Sequence, residues 1–228
     1  MKKILILIIA VSFCAASINA EARIDGYDTV AKSDNGDIIL YAKKRDGVYS
    51  DFKIDFKGAI FSRPFWINTT SCAWSPQIFL EDINGDEQKE LIIILTKGYG
   101  TGVLEQEAHV FHIQKKQRQE VPVEVLVDNP IAIVLKNVKT KLSADKAEIQ
   151  INDKKYLIDV KSLGIQPEHL FKDIFFGNII DFETKDNHLI AKMGGQISPA
   201  SFIGEVIIVY EYRNKMYREK SIEFHPFE

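Results

Sequence analysis

The stretch Asp82-Ile83-Asn84-Gly85-Asp86-Glu87-Gln88-Lys89-Glu90-Leu91-Ile92-Ile93-Ile94-Leu95 joins two chemistries. Its first part sets oxygen-bearing side chains at every second position, Asp82, Asn84 and Asp86, and adds a carboxylate at Glu90. Its second part is uninterrupted aliphatic. Successive strand side chains point to opposite faces, so the run Leu91–Leu95 predicts a central strand buried on both sides. The acidic part predicts a loop for a hard cation such as calcium, which takes roughly six to eight oxygens. The same residues also suit an ordinary acidic turn, because Asn and Asp side chains bond their own backbone and Gly tolerates positive φ.

Outward from this stretch the chain is mostly strand-like. Asn35-Gly36 between Thr29–Lys32 and Ile38–Tyr41 is a hairpin signal, and Asp46-Gly47 marks the next turn. Phe52, Ile54 and Phe56 alternate with Lys53, Asp55 and Lys57. His109–Ile113 and Val121–Val127 continue the pattern. In the second half Ile131–Lys141, Ala147–Ile151 and Tyr156–Val160 read as strands, with a turn at Asn152-Asp153. Gly204–Tyr212 and Met216–Phe224 predict a hairpin turning at Arg213-Asn214-Lys215. Pro167 opens a short helix with Leu170, Phe171 and Ile174 as its apolar stripe. The expected fold is mainly β, with antiparallel sheets in a sandwich or a partial propeller-like blade arrangement and one or two short helices. The polar run Gln114–Glu120 before Pro122 is either a boundary between a 23–114 subdomain and a 121–228 second half, or a hairpin loop inside one domain.

Residues 1–20 read as a signal peptide. Lys2 and Lys3 precede the apolar Ile4–Ala16, and cleavage is expected after Ala20 or Ala22. The apolar run is shorter than the roughly 20 residues that span a bilayer, so no stable membrane span is expected after cleavage. For cleavage after Ala20, loss of the two lysines takes the formal charge from −3 to −5. That acidic balance argues against nucleic acid as a partner. The protein is therefore expected to be exported to the periplasm or outside a bacterial cell. Only Cys72 then remains, read as a small buried hydrophobe, with Trp66, Phe65 and Trp74 as core around it.

The run Asp82-Ile83-Asn84-Gly85-Asp86 with Glu90-Leu91 and its aliphatic strand resembles the FG-GAP or VCBS repeat of integrin-type propellers and exported bacterial proteins. The resemblance covers residues 77–113. It implies a calcium loop in which Asp82, Asn84, Asp86 and Glu90 offer side-chain oxygens and Gln88 its backbone carbonyl. Glu87 stands where the family has glycine, and Glu90 where it has Asp. A second Asn-Gly-Asp at 35–37 lacks the preceding Asp and the later Glu, and reads as a hairpin turn.

Gly98-Tyr99-Gly100-Thr101-Gly102 mimics a nucleotide fingerprint, but its third glycine comes too early and no helix pattern follows, so it reads as a loop or β-bulge. Glu107 and His109 share one strand face and His112 takes the other, too few ligands for zinc. No nucleophile elbow or zincin motif is present. The chain therefore predicts a non-enzymatic binding or interaction protein with a structural calcium loop, directed at an envelope or extracellular protein or glycan. The alternative is an exported hydrolase with carboxylates among Asp82, Glu105 and Glu107, beside a pocket at Gly98–Gly102.

Overall fold

Side-chain alternation along the aliphatic run organises the molecule. In a computed structural model, which describes residues 24–117 and 119–227, Leu91, Ile93 and Leu95 enter one hydrophobic core while Ile92 and Ile94 enter another. All five are at most 1% exposed. The predicted signal peptide and its cleavage points lie outside the described residues.

The first core is a sandwich. One face is an antiparallel meander of β1 (Asp28–Lys32), β2 (Ile38–Arg45), β3 (Val48–Phe56) and β4 (Ala59–Thr69). The other is made by β5 (Gln77–Glu81), β6 (Glu90–Gly100) and β7 (Val103–Lys116). Ile38, Leu40, Phe52, Ile54, Phe56 and Trp66 pack across onto Leu91, Ile93, Leu95 and Phe111. The turns at Asn35-Gly36 and Asp46-Gly47 fall where predicted, and both glycines have positive φ. β7 pairs antiparallel with β8 (Gln119–Val125), with Gln114 opposite Val121 and Lys116 opposite Gln119.

Beyond β8 the sequence expectation fails at two places. Ile131–Asn137 is not strand: α1 (Pro130–Asn137) occupies it, and only Val138–Leu142 is strand, β9. The β-branched composition favours a strand, but the N-terminal signals are stronger. Asn129 Oδ1 accepts the Ala132 N–H at 3.1 Å, and Pro130 presets the first helical φ. Ile133 and Val134 face the second core, while Leu135 is left exposed. β10 (Lys146–Ile151) and β11 (Lys154–Asp159) complete a small sheet with β9. The helix predicted after Pro167 is a single 3-10 turn, Pro167–His169. Its apolar stripe is placed by extended chain instead, with the Phe171 N–H bonded to the Ile197 carbonyl at 2.8 Å.

The last four strands are β12 (Phe175–Lys185), β13 (His188–Ser198), β14 (Ser201–Arg213) and β15 (Met216–Pro226). They extend the larger sheet from β7 outward, joined by the one parallel pairing among the described strands, Ile179–Ile180 beside Leu104–Glu105. That sheet curls back on itself. The segment after β8 returns to β15, where Tyr217 N donates to Leu126 O at 2.8 Å and Asp128 N to Tyr217 O at 2.9 Å. The curled sheet encloses the second core, with α1 and the small sheet packed against it. Among the described residues no helix is long and apolar enough to cross a membrane.

Candidate metal loop

The acidic residues connect β5 to β6, whose last pair is Glu81 opposite Glu90. The loop is folded by its own side chains. Asp82 Oδ1 accepts the N–H of Gly85 at 2.7 Å and of Asp86 at 3.3 Å, and Oδ2 accepts that of Glu87 at 2.9 Å. Asn84 Oδ1 accepts Asp86 N–H at 2.8 Å, and Asp86 Oδ1 accepts Gln88 N–H at 2.9 Å. Each short polar side chain thus bonds the backbone ahead of it, the local chemistry that favours turns. Gly85 has φ 79° and Glu87 φ 64°, so Glu87 adopts the left-handed conformation that favours glycine. Burial acts upward on the Asp82 carboxyl, but the N–H groups of Gly85, Glu87 and Asp86 outweigh it and hold the group below the usual range.

Glu90 behaves differently. It is 2% exposed, with Oε2 accepting the Ile83 N–H at 3.0 Å and Oε1 accepting Asn84 Nδ2 at 2.9 Å. Burial pushes its carboxyl up to about 7, and the charges of Asp86 and Asp82 push the same way. Beneath the loop lies Tyr217, whose hydroxyl burial holds well above its ordinary range, with Glu90 adding to the effect. His112 Nε2 lies 3.2 Å from that hydroxyl, and burial depresses the imidazole below its ordinary value despite the Asp86 charge.

The structure therefore splits the five predicted ligands. Asp82, Asn84 and Asp86 are joined by the outer loop's own hydrogen bonds and Gln88 enters them through its N–H, whereas Glu90 is buried and tied to the loop through Ile83 and Asn84. Among the described residues no group of three or more His, Cys, Asp or Glu side chains is placed to hold a metal ion. As a chemical set the loop still fits a hard cation: its donors are all oxygens, and its carboxylates keep lone pairs beyond those used by the backbone.

The other predicted groups are not assembled. Glu105 and Glu107 both pair with Lys97, at 3.0 and 3.6 Å. Glu105 lies opposite Gly98, eight residues along β6 from Glu90, which at strand rise is roughly 26 Å from the acidic loop. The hollow there holds about 170 Å³, below the roughly 300 Å³ of ordinary ligand sites. Gly98–Gly102 is a bulged hairpin end with Tyr99 half exposed. Cys72 is exposed rather than buried, on a 3-10 turn none of whose residues is buried. Of the three aromatics expected as core, only Trp66 is buried; Phe65 is 92% exposed, and Trp74 is half-buried beside Tyr99.

One cluster escaped the sequence reading. His109 stacks on Trp66 with ring centres 4.0 Å apart, and its Nδ1 lies 2.9 Å from Glu124 Oε1. Arg63 reaches the other Glu124 oxygen at 3.2 Å and lies over the Trp66 and Phe111 rings. Burial raises the Glu124 carboxyl, but His109 and Arg63 overcome this and hold it low. These residues come from β4, β7 and β8 with no fixed spacing, so no local pattern signals them. Comparison with protein-family models, with curated proteins and with solved structures returns no match.

Proposed function

We propose that the chain is an exported, non-enzymatic interaction module at the bacterial envelope or outside the cell, and that its β5–β6 loop takes a structural calcium ion. The observation that carries the cation is an imbalance of charge. Asp82, Asp86 and Glu90 lie in one short loop over the second core, and among the described residues none of them forms an ion pair with Lys, Arg or His. Glu90 is nearly inaccessible to water. A divalent cation on the outer oxygens of Asp82, Asn84, Asp86 and the Gln88 carbonyl supplies the missing positive charge. The export reading rests on residues 1–22, and the module reading on Glu105 and Glu107, which share Lys97 at a distance from the acidic loop.

Calorimetric calcium titration of the chain without residues 1–22, beside an Asp82→Ala/Asp86→Ala variant, tests the cation. Extracellular modules bind with Kd of roughly 10⁻⁴–10⁻³ M. The expected result is saturable binding in that range, lost in the variant, with a rise in melting temperature. Absence of binding at several times that concentration makes the loop an ordinary turn. The export reading is tested separately, by whether the full chain loses its first 20 or 22 residues on expression with a bacterial secretion apparatus.

A further inference from the structure

The sandwich end that carries the acidic loop is open between its two sheets. A hollow of about 320 Å³ runs inward there to Ile38 and Phe56 on one sheet and to Leu80 and Ile113 on the other. A wider hollow of about 540 Å³ adjoins it and shares Phe56, Lys57, Lys115 and Glu120. Ile38 and Phe56 are fully buried, so they form a closed floor, while Leu80 and Ile113 are half-buried and present apolar surface.

The rim of this mouth is charged and unbalanced. Three lysines, Lys57, Lys89 and Lys115, face two carboxylates there, Asp37 and Glu120: Glu120 takes Lys57 at 2.6 Å, and Asp37 accepts Asn35 Nδ2 at 2.9 Å, an amide that leaves its negative charge in place. Two further lysines, Lys89 and Lys115, line the same hollow. Among the described residues neither of them forms an ion pair within 4.0 Å. The lining thus carries a surplus of one positive charge beside apolar surface, on a chain whose overall charge is negative.

We propose that this mouth binds a single-chain anionic amphiphile, with its carboxylate held by Lys89 and Lys115 and a short alkyl chain laid along Leu80 and Ile113. Neither half of the site suffices alone. An inorganic anion satisfies the lysines but leaves the apolar walls wet, and a neutral alcohol covers the walls but leaves the surplus positive charge without a counter-charge. The volume lies at the low end of the roughly 300–1,000 Å³ of small-ligand sites, which suits a short free acid and not the paired chains of a bilayer lipid. The inference names a ligand class for the binding-module reading and does not depend on the cation.

Decanoate is the probe, titrated calorimetrically below its micelle concentration and in chelator, because calcium precipitates alkyl carboxylates. Decanol and inorganic phosphate are titrated in parallel, and Lys89→Glu/Lys115→Glu is compared with the parent. The expected result is one decanoate per chain, weakened about tenfold or more by the double variant, with neither control binding comparably. Both substitutions are on the surface, and an unchanged melting temperature verifies the fold. No decanoate binding, equal binding of decanol or phosphate, or an unaffected double variant overturns the proposal. Decanoate binding lost while calcium still binds at the loop leaves the cation reading standing, and the reverse outcome leaves this one standing.

Discussion

Asn84 Nδ2 donates to Glu90 Oε1 at 2.9 Å, so the third residue of the acidic loop holds the carboxylate that begins β6. Among the described residues the amide is the only side-chain donor that reaches Glu90. It supplies no charge, and the carboxylate therefore stays easier to protonate than one on the surface.

The pH dependence of stability follows from that geometry. The Glu90 carboxyl is raised from 4.5 to about 7 in the folded chain. A raised value means that the folded state prefers the protonated acid. The associated stability is complete below about pH 4.5 and is lost as pH rises through 7. The difference corresponds to roughly 3 kcal/mol at most. In chelator, urea midpoints should fall between pH 5 and 7.5, and Glu90→Gln should flatten that fall. A variant with the parent's slope would show that Glu90 is not its source.

Glu87 sits at φ 64° without the freedom of glycine. Left-handed backbone costs a non-glycine residue about 1–2 kcal/mol, offset in part by the greater unfolded-state entropy of glycine. Glu87→Gly should therefore raise stability by about 0.5 kcal/mol in denaturant titration, with an unchanged m-value. A loss of more than 1 kcal/mol would mean that the Glu87 side chain has a role outside the turn.

Gly204 is the least replaceable small residue. A Cβ there would lie 2.4 Å from the His225 carbonyl oxygen and 2.4 Å from the Phe224 ring, at φ +152°. The contact is with backbone of the adjacent strand β15, which cannot swing aside. Gly204→Ala should cost about 3 kcal/mol or more, read as a collapse of the thermal transition. Gly100→Ala meets nothing within 4 Å and has no positive φ, so it serves as the near-neutral control.

Ile92→Ala and Ile93→Ala empty different cores, since their side chains leave β6 on opposite faces. Each should cost about 2–5 kcal/mol. Because one strand carries both, each variant should unfold in a single transition by calorimetry and by tryptophan fluorescence alike. Two separated transitions in either variant would show that the cores melt independently.

Much of the strand layout was legible because it is local. Asn35-Gly36, Asp46-Gly47 and Asn152-Asp153 specify their turns through backbone preferences of the residues themselves, and Leu91–Leu95 announces its double burial by being apolar throughout. At α1 two local signals compete: Ile131, Ile133 and Val134 favour strand, and the Asn129-Pro130 start prevails. The fate of Phe65, Trp74 and Cys72 depends on which face of β4 is covered and where the chain goes after it, and neither is written near them. The pairing of Tyr217 with Leu126 and Asp128 and the meeting of Arg63, His109 and Glu124 join residues that are remote in sequence, so spacing carried no trace of either. For the candidate loop, the alternating oxygen-bearing residues and the turn they form were legible in the sequence, and the inward turn of Glu90 was not.

A strand with aliphatic side chains on both faces poses a registration problem. Slipping β6 by one residue would exchange Leu91, Ile93 and Leu95 for Ile92 and Ile94 between the two cores at almost no cost in transferred surface. Hydrophobicity alone cannot tell these threadings apart. The distinction comes from the polar residues at the ends: Glu90, fastened to Ile83 and Asn84, and Thr96, whose N–H donates to Asn68 Oδ1 at 2.7 Å. A slip would break these buried bonds together, at about 1–3 kcal/mol for each group left unsatisfied. Cation or no cation, the acidic loop acts as an index mark that makes one threading of an ambiguous strand the right one.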